Sequence, residues 1–291
     1  MSVREFELAR GAVRKSFDKA SPNYDAHALL QTRVRNLLLE RITDVAPPPR
    51  VILDAGAGTG QASRVLQKRF RQSLVLALDL AAGMLRAARG QQSWIRRFAR
   101  ACADLERLPL RDASADLVYS NLTLQWLTVP DRAFGEIARV LRPDGWFYFT
   151  TFGPATLNEL RAAWARVDGY THVNRFFDMH DVGAALTRSG FIDPVLDVEH
   201  FTLAYTDLRT LMHDLKAIGA HNVTAGRPRG LTGRNRFAAL SQAYETFRDD
   251  GRLPATYEVI FGRARAGTPR RTKNGAAPEV RIPVSQISRR P

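Results

Sequence analysis

The residues best placed to do chemistry begin with Asp54-Ala55-Gly56-Ala57-Gly58-Thr59-Gly60, which follows the short apolar run Arg50-Val51-Ile52-Leu53 and precedes a helical pattern over 61–70. Glycines at this spacing let a strand turn tightly into a helix and let a ligand approach the backbone without meeting a Cβ. Asp79 lies 19 residues beyond Gly60, at the end of the next apolar run, where a carboxylate can accept hydrogen bonds from both hydroxyls of a ribose. A second acid, Asp104 in Ala103-Asp104-Leu105-Glu106-Arg107-Leu108-Pro109, ends the run after that and is placed to accept from an adenine amino group. The ordered set therefore predicts a nucleoside site. The G-x-G-x-G spacing differs from the G-x-G-x-x-G that presents helix amides to a pyrophosphate, which disfavours hydride cofactors. Metal chemistry finds little support: Cys102 is the single cysteine, and the six histidines show no HExxH-like pairing.

These residues need a sheet to bring them together. Apolar runs at 51–55, 74–78, 98–103, 116–120 and 146–151 alternate with helical patterns, which predicts an α/β fold with a doubly wound, mostly parallel sheet. Residues 1–46 read as an N-terminal helical segment, helical from residue 10 and ended by Pro47-Pro48-Pro49. The core spans 47–205, a basic helical insertion at 206–252 reads as a lid over the sheet's carboxyl edge, and 253–265 is the last strand. Strand-like runs are expected at 195–205 and 255–262, and helices at 157–167 and 181–189. Asn121 and Gln125 follow the fourth run and face the same crevice, with Trp126 a packing residue.

Charge separates the core from its end. The chain has 291 residues with Lys+Arg 43 against Asp+Glu 29, for a formal net charge of +14. From Arg263 onward Arg263, Arg265, Arg270, Arg271, Lys273, Arg281, Arg289 and Arg290 face only Glu279, so half the excess lies at the C-terminus. Residues 266–291, rich in Pro, Gly and Arg, read as a basic disordered tail. A basic protein attracts acidic partners. The absence of an Asn-Pro-Pro-Tyr motif and of an aromatic-rich basic strand face argues against nucleic acid. No apolar stretch reaches membrane-span length and no secretory signal opens the chain, so a cytoplasmic location away from membranes is expected.

Over residues 15–152 the sequence resembles the class I S-adenosylmethionine-dependent methyltransferases, through D-A-G-A-G-T-G, Asp79, A-D-L-E-x-L-P-L and L-R-P-D-G. The resemblance implies a Rossmann-like fold binding S-adenosylmethionine. Asp54 would support the glycine loop and the methionyl amino end, Gly56, Gly58 and Gly60 would wrap the methionyl portion, Leu80 and Met84 would flank the adenosine, and Leu105 would contact the adenine.

With the segments 17–27, 120–126, 151–157, 172–176 and 214–220 added, the resemblance is to the malonyl-carrier-protein O-methyltransferases of biotin synthesis, over about 17–262. It implies methylation of a malonyl carboxylate on an acidic acyl-carrier protein. Within it Tyr24 would close over the methyl group or hydrogen-bond the acceptor. Arg175 would clamp the acceptor carboxylate, with Phe176 beside it and Lys216 the next candidate. Lys216, Arg227, Arg229, Arg234 and Arg236 would steer the carrier. The basic tail departs from the family pattern, and Ala57 stands where small residues vary. A nicotinamide-dependent oxidoreductase conflicts with the loop spacing and Asp104. An assembly factor or protein-arginine-modifying protein on the same fold, and a small-molecule methyltransferase, remain as alternatives.

Overall fold

A computed structural model describes residues 9–43, 45–90, 92, 94–220 and 233–268. Seven strands form one sheet in the order β3-β2-β1-β4-β5-β7-β6: β1 Val51–Ala55, β2 Leu74–Asp79, β3 Ala99–Cys102, β4 Ala115–Ser120, β5 Leu141–Phe152, β6 Phe191–Tyr205 and β7 Leu253–Ala266. The first five pair in parallel, and β7 inserts antiparallel between β5 and β6. β1 and β4 are buried along nearly their whole length, as strands covered on both faces must be. Tyr148 packs into one core layer while Phe147 and Phe149 pack into the other, the period-two alternation of a strand between two helical layers.

Parallel strands point the same way, so the turns that follow β1, β2, β3 and β4 gather Gly56, Asp79, Asp104 and Asn121 at one edge. Two antiparallel steps turn β6 back into the direction of β5, so its C-terminal end reaches that same edge. There α9 (Leu208–Ala217) and α10 (Arg234–Glu245) lie between β6 and β7.

The N-terminal segment is helical, as expected. It divides into α1 (Arg10–Ala20), α2 (Tyr24–His27) and α3 (Leu29–Glu40). Pro22, which lacks an amide hydrogen, sits in the turn after α1, and Ala28 leaves helical geometry with φ −86° and ψ 44°. This breakage carries Tyr24 to the edge of the sheet. Ser16 Oγ donates to Gly219 O at 2.9 Å, tying α1 to the residues after α9.

The remaining elements follow the expected rhythm: α4 (Gln61–Arg69), α5 (Ala82–Gly90), α6 (Pro130–Val140), α7 (Asn158–Ala165) and α8 (Met179–Arg188). β6 starts at Phe191, before the expected 195, because Asp193 at φ 49° and Pro194 form a bulge in a strand that continues through it. β5 likewise begins at Leu141, with the L-R-P-D-G segment looped out between the registers Ala115↔Leu141 and Leu117↔Trp146. The tail beyond residue 268, with Arg227 and Arg229, lies outside the described residues. No described helix is long and apolar enough to cross a membrane.

Candidate cofactor and acceptor site

The glycine turn is built by three glycines with three different tasks. Gly56 (φ 79°) passes so close to Thr123 that a Cβ would lie 2.1 Å from its Oγ1. Gly60 (φ 77°) lets α4 start against Phe98 and Ala88, where a Cβ would meet atoms at 2.8 and 2.9 Å. A Cβ on Gly58 would meet nothing within 4 Å, although the residue lines two cavities. The space over Gly58 is thus left for a ligand rather than for protein.

The larger cavity holds about 820 Å³ of empty space, including its open mouth. Asp79, Leu80, Met84, Asp104, Leu105 and Asn121, six of the residues expected at a cofactor site, line it together. Its roof is α1, which presents Arg10, Val13, Arg14 and Phe17 at the i, i+3, i+4, i+7 spacing of one helical face. Trp126 also lines it, while packing edge-on to Phe17 at 5.2 Å. A second chamber of about 440 Å³ lies over Asp54, Ala57, Thr59 and Gln61, with Arg35 from α3 as the cation among its lining residues. The two meet at Tyr24, Gly56, Gly58 and Asn121.

Hydrogen bonds fix this frame. Asp79 accepts from Gly58 N through Oδ2 and from Ala81 N through Oδ1, both at 2.8 Å. Burial raises its pKa to about 6 against the opposing pull of those amides. Asp54 accepts from Ser63 Oγ, and burial raises it to about 7. Burial, then the Asp79 and Asp25 carboxylates, push the Tyr24 phenol above its ordinary range, so it is a neutral hydroxyl at physiological pH. Asp25 accepts from Thr59 Oγ1 at 2.7 Å, joining α2 to the glycine turn. Asn121 Nδ2 donates to Gln31 O at 3.2 Å, and its Oδ1 accepts from Thr150 Oγ1 at 3.0 Å.

Where the cavity meets the end of β3, the carboxylate of Asp104 is already engaged. Oδ2 accepts from Arg10 Nη1 at 2.6 Å and Oδ1 from Glu106 N at 2.9 Å. Arg10 also pairs with Glu106.

The residues expected to hold an acceptor are placed differently. Neither Arg175, Phe176, Lys216 nor Gln125 lines either cavity. Gln125 is buried and donates to Leu122 O at 2.7 Å. Phe176 packs edge-on against Phe152 at 5.6 Å, at the end of β5. Arg175 is exposed, and near enough to Arg161 for its charge to add to burial in lowering that guanidinium's pKa. Lys216 and Arg234 are exposed on α9 and α10. Arg236 is not a free docking charge, because it pairs with Asp168 and lies over the Tyr170 ring at 5.6 Å.

Sequence reasoning missed Arg10, Arg14, Arg35, Asp25 and Thr123. The helical spacing of 10, 13, 14 and 17 carried a signal for the roof. Nothing local marks Thr123 or Arg35, whose positions depend on tertiary packing.

A family model described as a methyltransferase domain matches residues 53–149. A Bacillus halodurans C-125 protein assigned as a methyltransferase has a crystal structure of the same fold, with TM-score 0.58 and 20% identity, covering 80% of this chain and 99% of that one. With the open glycine cradle and the carboxylates around it suiting a sulfonium nucleoside, the chain is a class I S-adenosylmethionine-dependent methyltransferase. The malonyl-[acyl-carrier protein] O-methyltransferase of Methylovorus sp. (strain MP688) is 52% identical over 270 residues, 91% of each chain. That of Laribacter hongkongensis (strain HLHK9) is 51% identical over 276 residues, 91% of this chain and 93% of its own length. The chain belongs to the malonyl-[acyl-carrier protein] O-methyltransferase family.

Proposed function

We propose that this protein methylates the free carboxylate of a malonyl group carried as a thioester on acyl-carrier protein, a step of biotin synthesis. The observation that carries the reading is the identity of about half to family members along nine-tenths of the chain. The site suits the reaction. A malonyl carboxylate, with a pKa near 4, is ionised at neutral pH and needs no base. Tyr24, at the junction of the two cavities, is neutral and offers a donor without removing the acceptor's charge. S-adenosylmethionine, when bound, supplies a methyl group activated by its sulfonium. The protein's work is alignment.

In this reading Asp79 takes the ribose hydroxyls, while Leu80, Met84 and Leu105 wall the adenosine and Asp104 takes the adenine amino group. Asp54 and the backbone of Gly56, Gly58 and Gly60 cradle the methionyl portion, with Asn121 at the crevice floor. Arg35 holds the methionyl carboxylate, since it is the cation lining the chamber over the glycine turn. Arg175, Phe176, Lys216 and Gln125 form the acceptor side. The carrier is acidic and is steered by exposed lid cations such as Lys216 and Arg234. The protein acts in the cytoplasm, without membrane or nucleic-acid partners. Mass spectrometry of malonyl-carrier protein incubated with the enzyme and S-adenosylmethionine tests the reading. A gain of one methyl on the malonyl but not on an acetyl carrier is expected, and no gain on malonyl overturns it.

A further inference from the structure

Among the described residues, one cluster of ligating side chains lies outside both cavities. His27, the last residue of α2, faces His213 and Asp214 on α9. His27 Nδ1 is 3.2 Å from Asp214 Oδ1, and His213 Nδ1 is 3.7 Å from the same oxygen. One ligand atom from each of the three side chains can be chosen so that all three lie within 4.8 Å of one another. A tetrahedral ion about 2.1 Å from each donor has donors about 3.4 Å apart, so the observed separations bracket the spacing a first-row ion imposes. The imidazole rings are tilted by 62° with centroids 5.4 Å apart, so they converge on the carboxylate rather than stack on each other. All three residues are reachable from solvent, with side-chain exposures of 29%, 68% and 34% in chain order, which leaves room for a water as fourth ligand.

We propose that His27, His213 and Asp214 form a site for a borderline divalent ion such as Zn²⁺, which staples α9 to the N-terminal segment one helical turn from Tyr24. Two imidazoles and one carboxylate suit Zn²⁺ and disfavour Mg²⁺, which prefers oxygen ligands in an octahedron. The ion links the segment that carries Tyr24 to the element that closes the carboxyl edge of the sheet. It does so without touching the cofactor cavity, and the proposal is independent of which acceptor is methylated.

The test uses the full chain without a polyhistidine tag, stripped with chelator and titrated with ZnCl₂ or MgCl₂ by calorimetry and thermal unfolding. One equivalent of Zn²⁺ is expected to bind saturably and raise the unfolding midpoint, while Mg²⁺ does neither. His213→Ala removes an exposed ligand, and Asp214→Asn keeps a hydrogen-bonding oxygen beside His27 but weakens ligation. Both variants are expected to lose the Zn²⁺-dependent stabilisation while binding S-adenosylhomocysteine as the parent does. Absence of saturable Zn²⁺ binding in the parent, or undiminished binding in both variants, overturns the site.

Discussion

Gly58 N donates to Asp79 Oδ2 across 2.8 Å, so the glycine turn after β1 and the carboxylate that ends β2 are one hydrogen-bonded unit. Neither can move without the other. The same carboxylate, partly buried at the cavity wall, is raised to about 6, and buried Asp54 beneath the turn to about 7, each from an ordinary 3.8.

The pH dependence of cofactor binding follows. Between their ordinary and native pKa values both acids hold more protons in the folded than in the unfolded chain, so the ligand-free protein loses stability as pH rises from about 4 to 7. A ligand bearing a sulfonium and an ammonium favours the ionised acids and reverses this. Affinity for S-adenosylmethionine should rise about fourfold from Asp79 alone between roughly pH 5.5 and 7.5, and further where Asp54 ionises with it. Calorimetry in buffers of different ionisation enthalpy should record proton release. A flat profile with no proton release would remove both acids from the cofactor's field.

The glycines separate folding from binding. Gly56→Ala places a methyl group on Thr123 at positive φ and should cost roughly 2 kcal/mol or more of stability. Gly58→Ala meets no protein atom, so its folding cost should stay near that of the backbone conformation alone, about 1 kcal/mol. Its main effect should be weaker S-adenosylhomocysteine binding. If calorimetry finds parental affinity in Gly58→Ala, the ligand does not run over that residue.

Arg35 can be assigned by ligand truncation. Removing a charge-assisted hydrogen bond costs about 1.5–3 kcal/mol, so Arg35→Ala should weaken S-adenosylhomocysteine roughly 10- to 100-fold. 5′-Methylthioadenosine lacks the methionyl carboxylate and should bind parent and variant alike. Equal losses for both ligands would mean that Arg35 only supports Gln61, to which it also donates.

The line between what was legible and what was not runs through particular residues. Asp54 and Asp79 lie in the last residues of β1 and β2, and the three glycines and Asp104 follow strand ends; parallel strands must gather such ends at one edge, so local pattern was enough to bring them together. Arg10 reaches Asp104 across 94 residues, and His27 reaches Asp214 across 187. No periodicity encodes such pairs, because they are set by how α1, α2 and α9 pack over the finished sheet. The helical character of the N-terminal segment was legible, and so was a reason for its first division, since Pro22 stands in the turn after α1.

On the acceptor side, Arg175→Ala should raise KM for the malonyl carrier with S-adenosylhomocysteine affinity preserved, the signature of lost acceptor binding. Arg175 lies beside Arg161, whose buried Nε has no partner among the described residues, so a carboxylate arriving there would meet two cations. Parental kinetics in Arg175→Ala would move the clamp elsewhere, with Lys216 tested next.

Among the described cations of α9 and α10, Arg236 differs in kind from Lys216 and Arg234, and charge reversal should tell them apart. Arg236 is half-buried between α10 and the loop after α7. It pairs there with Asp168, whose carboxyl is held at about 2 by the hydrogen bonds it accepts, among them those from Tyr170 N, Arg236 and His172. Arg236→Glu would set a carboxylate against that carboxylate, so it should destabilise the protein and depress activity on every acceptor alike. Lys216 and Arg234 are exposed, and a surface charge acts on an acidic partner mainly through encounter rate, screened over a Debye length of about 8 Å at physiological salt. Lys216→Glu with Arg234→Glu should therefore leave the unfolding midpoint nearly unchanged. It should lower kcat/KM for malonyl-carrier protein much more than for malonyl-coenzyme A, by a gap that narrows as salt is raised. Equal losses on the two acceptors, or a gap indifferent to salt, would place the carrier's docking surface away from Lys216 and Arg234.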